Sequence, residues 1–444
     1  MLCLVPVVAL LLVGAQQVVD SAGEVVFDEA ERARILTLSP LAAPPLDATN
    51  RFDGDPRAER LGQSLFFDPR LSASGEIACA TCHDPVLGFT DGKPVAFTIA
   101  AGPRRTPHLW NMAWGRWFFH DGRADSLWSQ ALGPIENEIE MGGDRLALAH
   151  YIAADPELRG AFEALRGPLP ELEQSARFPA HARPVSARPE HPHDRAWRGM
   201  RAEDRAAIDS LFADIGKVIA AYERLLVSRD APFDRFVEGL RENDAAKRAA
   251  LDASAQRGLR LFLGKGRCRL CHSGPNFSDG EFHNLGLATR AGEVPDDAGR
   301  YAGLPSLVAD PFNTRGVHSD DRGGEAAALL DGLVAGPANW GEFKTPSLRS
   351  VSTRPPYMHA GQFSDLDAVL NFYSTLEGSA PLHQHQEQIM QPREFTPGEI
   401  VDLRAFLEGL EGAPLADHLL RAPKSPSIES GRQEAAKEHA SEDG

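Results

Sequence analysis

Apolar residues recur at helical spacing in several separated stretches of this chain. In "AERLGQSLFF", Leu61, Leu65 and Phe66 share one side of a predicted helix. "RADSLWSQALGPI" is a second helical stretch, expected to stop at Gly133 and Pro134. "EDRAAIDSLFADIGKVIAAYERLLVS" reads as a long amphipathic helix linking two halves of the chain. "DASAQRGLRLFLGKGRCRLCH" opens the second half with a helix that runs into a cysteine motif, and "SDLDAVLNFYSTLEG" and "TPGEIVDLRAFLEGL" are late helices.

The stretches between follow other patterns. Residues 2 to 15 are apolar or small, too short and isolated for a membrane span. They read as a secretory signal within residues 1–20, cleaved near Ala15, with an uncleaved membrane anchor as the alternative because a basic leading region is missing. Residues 20 to 50 form a mixed leader ending in the Pro-rich "LSPLAAPPLD". Residues 167–199 are rich in Pro, Arg and His and read as a surface insertion. Its histidines, His181, His191 and His193, could bind metal, but no regular ligand spacing accompanies them and a solvated loop is the preferred reading. Residues 286 to 342 are Gly- and Pro-rich. The tail 423–444 is charged, low in apolar residues and expected to be disordered.

With 444 residues, 42% of them hydrophobic, the chain is long enough for two domains. They are expected over residues 50–235 and 250–415. The net charge of −17 removes nucleic acid from the candidate partners, since that role needs a basic face. Of five cysteines, Cys3 leaves with the signal. The other four all lie in two copies of one motif, which argues against a disulfide scaffold.

Those copies, "CATCH" at 79–83 and "CRLCH" at 268–272, belong to a longer repeat. "RLGQSLFFDPRLSASGEIACATCHDPVLGFTDG" and "RGLRLFLGKGRCRLCHSGPNFSDG" match in order: a Leu/Phe-rich helix, C-x-x-C-H, then Phe, a small hydroxyl residue, Asp and Gly. C-x-x-C-H is the attachment signature of c-type haem. Cys79 with Cys82, and Cys268 with Cys271, suit the two vinyl groups of a porphyrin; His83 and His272 then reach the iron as proximal ligands. A zinc site is the competing reading, and a thioredoxin-type redox pair lacks its βαβ context. Export fits c-type attachment and points to the periplasm.

The chain resembles the bacterial di-haem cytochrome c peroxidase family, which includes the MauG-type enzymes. The resemblance rests on "LGQSLFFDPRLSASGEIACATCHDP", "WFFHDGRADSLWSQALGPIENEIEMGG", "FKTPSLRSV", "PPYMHAGQF" and "AVLNFYSTLEG", and spans most of residues 55 to 412. It implies a mostly α fold of two cytochrome c-like domains, each with one covalently bound haem, the first peroxidatic and the second collecting electrons. Carried over residue by residue, Glu140 matches the family's distal acid, with Glu136 and Glu138 as competitors in the same acidic loop. Gln130 and Pro134 match other residues of that pocket. Tyr373, fourteen residues beyond His359, matches the distal ligand of the second haem, as in the MauG type. Met358 is the rival ligand.

Three departures accompany the resemblance. The loop "PVAFTIAAGPRR" has no distal histidine, so the first haem iron is expected to be five-coordinate; nearby His108 reads as structural. His120 stands where the family places a relay tryptophan, and Trp110, Trp114 or Trp117 would have to substitute. At the family's Ca²⁺ site, Arg105 replaces an asparagine and Arg354 and Pro356 supply the carbonyl positions. Two arginines beside a dication would repel it, so Ca²⁺ is expected to be replaced by these charges. The first functional reading is a peroxidase reducing H₂O₂ with electrons from a small cytochrome c or cupredoxin. A MauG-like oxidase of a partner protein and a non-catalytic electron-transfer cytochrome are the alternatives. The resemblance also allows a homodimer.

Overall fold

A computed structural model describes residues 25–185, 187–380 and 386–427. The expected signal and most of the tail, 428–444, lie outside the described residues. Helices dominate. They run α1 (Glu29–Leu36), α2 (Pro56–Phe66), α3 (Cys79–Cys82), α4 (Leu127–Glu136), α5 (Arg145–Ala154), α6 (Pro156–Arg166), α7 (Pro192–Gly199) and α8 (Ala202–Glu223). Next come α9 (Pro232–Glu242), α10 (Ala245–Arg248), α11 (Ala253–Leu263), α12 (Arg300–Ala309), α13 (Glu325–Ala328), α14 (Leu366–Thr375) and α15 (Pro397–Glu408). Among the described residues the strands are two short antiparallel pieces, Phe282–His283 and Phe343–Lys344. No described helix is long and apolar enough to cross a membrane.

Two main hydrophobic cores organise the chain. The first gathers α2, α4, α5, α6 and α8 around Leu61, Phe66, Trp128, Ile152, Phe162 and Ile215. The second gathers α1, α9, α11, α14 and α15 around Phe233, Phe262, Phe277, Leu370 and Phe406. Fully burying each such side chain contributes about 1.5–3 kcal/mol. The helix leading into each motif uses a glycine to approach its neighbour. A Cβ at Gly62 of α2 would lie 1.7 Å from the Val218 carbonyl oxygen of α8. A Cβ at Gly258 of α11 would lie 1.9 Å from the Asp402 carbonyl oxygen of α15. The repeat read in the sequence therefore extends to helix packing.

Several expectations are corrected. α4 does not stop at Pro134 but continues to Glu136. Proline removes only the bond to the carbonyl four residues back, and one further turn is held by packing. The second half of α8 is buried all round, including Asp214, Lys217 and Glu223, so it is a core helix rather than an amphipathic one. The stretch 167–199 lies largely at the surface, as read, but it is anchored: Leu169, Leu172, Phe178, Ala182 and Trp197 are buried in the first core. Beyond Pro423, Ser425 is buried and its carbonyl accepts from Arg60 Nε at 2.8 Å.

The two ends of the described chain cross over. α1 packs on the second core through Ile35 and Leu38, and Glu31 pairs with Arg260 at 2.8 Å. The segment after α15 returns to the first core through Leu415, Leu419 and Leu420. There Gln63 Nε2 donates to the Arg421 carbonyl at 2.8 Å, and Tyr222 donates its hydroxyl to the Leu419 carbonyl at 2.5 Å.

Candidate haem sites

Each motif begins a short helical turn and ends on its histidine. His83 Nδ1 donates to the Phe89 carbonyl at 3.1 Å, and His272 Nδ1 donates to the Phe277 carbonyl at 3.0 Å. Both acceptor residues are buried phenylalanines in the left-handed region, φ 58° and 51°. These bonds fix the tautomer and leave Nε2 of each ring as a free lone-pair donor. Burial lowers the pKa of both histidines, which keeps them neutral. Thr90 and Ser278 repeat as well, each accepting through its hydroxyl from the N–H of the following glycine, Gly92 or Gly280.

A second repeat escaped the sequence reading. Residues 106–134 and 345–373 match position for position without a gap. Asn111 and Ser350 are both left-handed and start the same 3₁₀ turn. Phe119 and Met358 are left-handed too. The bridge between Phe118 and Ala124 recurs between Tyr357 and Phe363. Only Thr, Pro, Leu, His and Gly recur at the key places, too few identities for the eye to register.

The two repeats face each other across a pseudo-two-fold relation. The Lys344 N–H donates to the His120 carbonyl at 2.8 Å, and the Arg105 N–H donates to the His359 carbonyl at 2.9 Å. His120 Nε2 donates to the Arg105 carbonyl at 3.1 Å. A continuous cavity joins the motifs, lined by His83, Gln130 and His120 on one side and His272, Met358 and Tyr373 on the other. Trp110 packs edge-on against Phe89, and Trp117 lies in a small separate cluster with Leu307 and Leu330.

The cavity suits an acidic, largely apolar group. Arg105, Lys344 and Arg354 line it, and none has a carboxylate ion-pair partner among the described residues. Burial depresses Lys344 to about 8, and burial with Arg105 alongside depresses Arg354 to about 9. Arg105 Nε, Arg354 Nε and His108 Nδ1 are buried without hydrogen bonds among the described residues. Orphaned donors and unpaired cations beside apolar walls match the propionates and ring of a haem. His108, read as structural in the sequence, thus lines the cavity. The four motif thiols are free of disulfides.

The acidic loop separates its three glutamates. Glu136 is held by Arg145 at 2.6 Å and Glu138 by Arg183 at 2.9 Å. Glu140 has no ion pair among the described residues; Asn137 donates to it at 2.6 Å, and burial raises its pKa despite Arg123. It lies within electrostatic reach of Cys82. Pro134 is partly buried on α4. Neither it nor Phe119, the counterpart of Met358, carries a metal-binding atom. Tyr373 differs: its hydroxyl has no hydrogen-bond partner among the described residues, and burial pushes its pKa up. Tyr151, Tyr222 and Tyr357 all donate theirs. Glu223 was missed in the sequence. It is buried near Cys79, one oxygen is unpartnered, and burial pushes its carboxyl up to about 8.

At the expected cation site, Arg105 Nη2 donates to the Arg354 carbonyl at 3.1 Å. That is one of the two carbonyls read as cation ligands.

Residues 56–242 match the family model for di-haem cytochrome c peroxidase. The methylamine utilization protein MauG of Methylorubrum extorquens is 35% identical over 371 residues, covering 83% of this chain and 82% of that protein. Cytochrome c551 peroxidase of Pseudomonas aeruginosa is 29% identical over 380 residues, covering 84% and 85%. In fold, the chain is similar to the diheme peroxidase BthA of Burkholderia thailandensis, with a TM-score of 0.59 at 21% identity, covering 88% of this chain and 94% of that one. The repeated histidine sites, the shared cavity and these relatives lead to one conclusion: the chain belongs to the di-haem cytochrome c peroxidase and MauG family of oxidoreductases.

Proposed function

We propose that this protein is a periplasmic di-haem peroxidase. It reduces H₂O₂ to water with electrons from a small cytochrome c or cupredoxin. Cys79 with Cys82 and Cys268 with Cys271 attach two c-type haems, and His83 and His272 are their proximal ligands. Once bound, the haems supply the redox-active iron that takes up peroxide and stores electrons.

The observation that carries this reading is the asymmetry of the distal faces. The first half offers no ligand at either repeated position, Phe119 or Pro134, and sets Gln130 in the cavity wall, with Glu140 within electrostatic reach of Cys82. Glu140 has no ion pair among the described residues and burial raises its pKa, which suits a carboxyl that moves a proton between peroxide oxygens. Gln130 is buried, lines the cavity and orients the bound oxidant. The second half offers Tyr373, whose unpartnered hydroxyl makes it the ligand chosen over Met358. Tyr373 would hold that haem's distal face closed to peroxide, leaving it an electron-transfer role. His120 bridges the halves through its carbonyl and ring hydrogen bonds and would lie on the path between the two haems, where no indole is available to carry a side-chain radical. Arg105 and Arg354 stand where a cation would sit, so the protein works without Ca²⁺.

A MauG-like oxidation of a partner protein is the second reading. Tyr373 and the MauG relatives favour it. The test is a ferric spectrum followed by stoichiometric H₂O₂, then turnover with and without a reduced donor. Fast reaction of a high-spin haem and donor-dependent turnover support the peroxidase. Fast reaction with no donor turnover moves the assignment to the second reading. Two low-spin, unreactive haems would leave electron transfer alone.

A further inference from the structure

The histidines of the stretch 167–199, read in the sequence as solvated, meet a buried carboxylate far from either motif in sequence. Asp144, His181 and His193 each offer a ligand atom, and these three atoms lie within 4.8 Å of one another. We propose that they form a binding site for a divalent transition-metal ion of borderline hardness, of the class of Zn²⁺, Cu²⁺ and Ni²⁺.

The carboxylate is fixed before any ion arrives. Asp144 is buried and caps α5, its Oδ1 accepting from the Ala147 N–H at 2.8 Å and the Ala182 N–H at 3.1 Å. Its Oδ2 faces His181 Nδ1 at 2.8 Å. The His181 and His193 rings stack, 5.5 Å between centroids and 8° between planes. His193 Nδ1 is buried and has no hydrogen-bond partner among the described residues. An imidazole nitrogen left unpaired beside a carboxylate is costly unless something occupies the place between them.

The surrounding chain holds this geometry. His193 lies in the first turn of α7, and its N–H donates to His191 Nδ1 at 3.2 Å. Asp194 accepts from the Val185 N–H at 2.9 Å, tying the loop to α7. The neighbouring cation Arg183 is engaged by Glu138 at 2.9 Å, so it does not occupy the carboxylate. The His181 side chain is 62% exposed and gives the ion a way in. Two imidazole nitrogens and one carboxylate oxygen make a three-ligand set that leaves a coordination position for water. Asp144 follows Glu140 closely in the chain, so a bound ion would brace the acidic loop against α7.

The test uses the haem-loaded protein, ZnCl₂ alone, and iron counted separately. Calorimetric titration is expected to show one Zn²⁺ per chain, with a rise in thermal midpoint. The double variant His181→Ala, His193→Ala is expected to bind at least about tenfold more weakly and to lose the thermal shift. Asp144→Asn keeps the cap oxygen but removes the charge, so it should fold and still bind Zn²⁺ more weakly. The inference is overturned if the wild type binds no Zn²⁺, or if either variant that retains both haems binds it as tightly as the wild type.

Discussion

Pro134 and Tyr373 occupy the same place in the repeated unit: each is the eighth residue of the helix that follows the His-x-Gly turn, α4 in the first half and α14 in the second. One side chain has no ligand atom, and the other ends in a phenol oxygen with no partner among the described residues. On the proposed function, the difference between an open and a closed iron is concentrated at one position of the repeat.

Exchanging these residues should exchange the behaviour. Pro134→Tyr is expected to convert the first haem to a low-spin ferric spectrum and slow its reaction with H₂O₂ by on the order of tenfold or more. Tyr373→Phe should change the ferric spectrum of the second haem and leave the first unchanged. If Tyr373→Phe alters neither spectrum, Met358 is the ligand.

Glu140→Gln should slow peroxide activation by about 10²–10⁴-fold in stopped flow, with both haems still attached. Glu138→Gln is the control. That exposed residue is bound by Arg183, and its loss should leave the rate within about twofold.

Arg105 and Arg354 should make the enzyme indifferent to calcium. Chelation with EGTA is expected to leave turnover and thermal midpoint unchanged, and metal analysis should find no tightly held Ca²⁺. Arg105→Ala leaves the Arg354 carbonyl without this donor and should cost about 1.5–3 kcal/mol in denaturant unfolding.

The returning tail should stabilise the first core. Truncation after Gly412 removes Leu415, Leu419 and Leu420 and the acceptors of Gln63 and Tyr222. A loss of about 3 kcal/mol or more is expected. Tyr222→Phe, which deletes a single bond, should cost about 1 kcal/mol.

Asp234 sets an acid limit. Burial alone would raise its pKa, but the paired bonds from Arg349, at 2.7 and 2.9 Å, together with Ser39, hold it below the ordinary carboxylate value. Its stabilisation is complete above the unfolded carboxylate range and disappears as pH falls through that range towards the lower folded pKa. Asp234→Asn should cost about 3–5 kcal/mol at pH 7, because Arg349 is fully buried, and should flatten the acid limb of a plot of thermal midpoint against pH.

Local signals determined much of this protein. The two C-x-x-C-H copies and the periodicity of α2, α11, α14 and α15 were legible because bond geometry and helix spacing involve neighbours in the chain. The family could be read from its segments for the same reason. Four features depended on residues far apart in sequence. α4 runs through Pro134 because packing against α8 outweighs one lost bond. The stretch 167–199 is anchored because Phe178 and Trp197 find the first core. The histidines His181 and His193 have no ligand spacing in the chain, yet folding sets them beside Asp144. Glu136, Glu138 and Glu140 look alike in "IENEIE" and are told apart only by which arginines reach them. Burial, ion pairing and the meeting of side chains are properties of the assembled cores, so tertiary structure alone decided them.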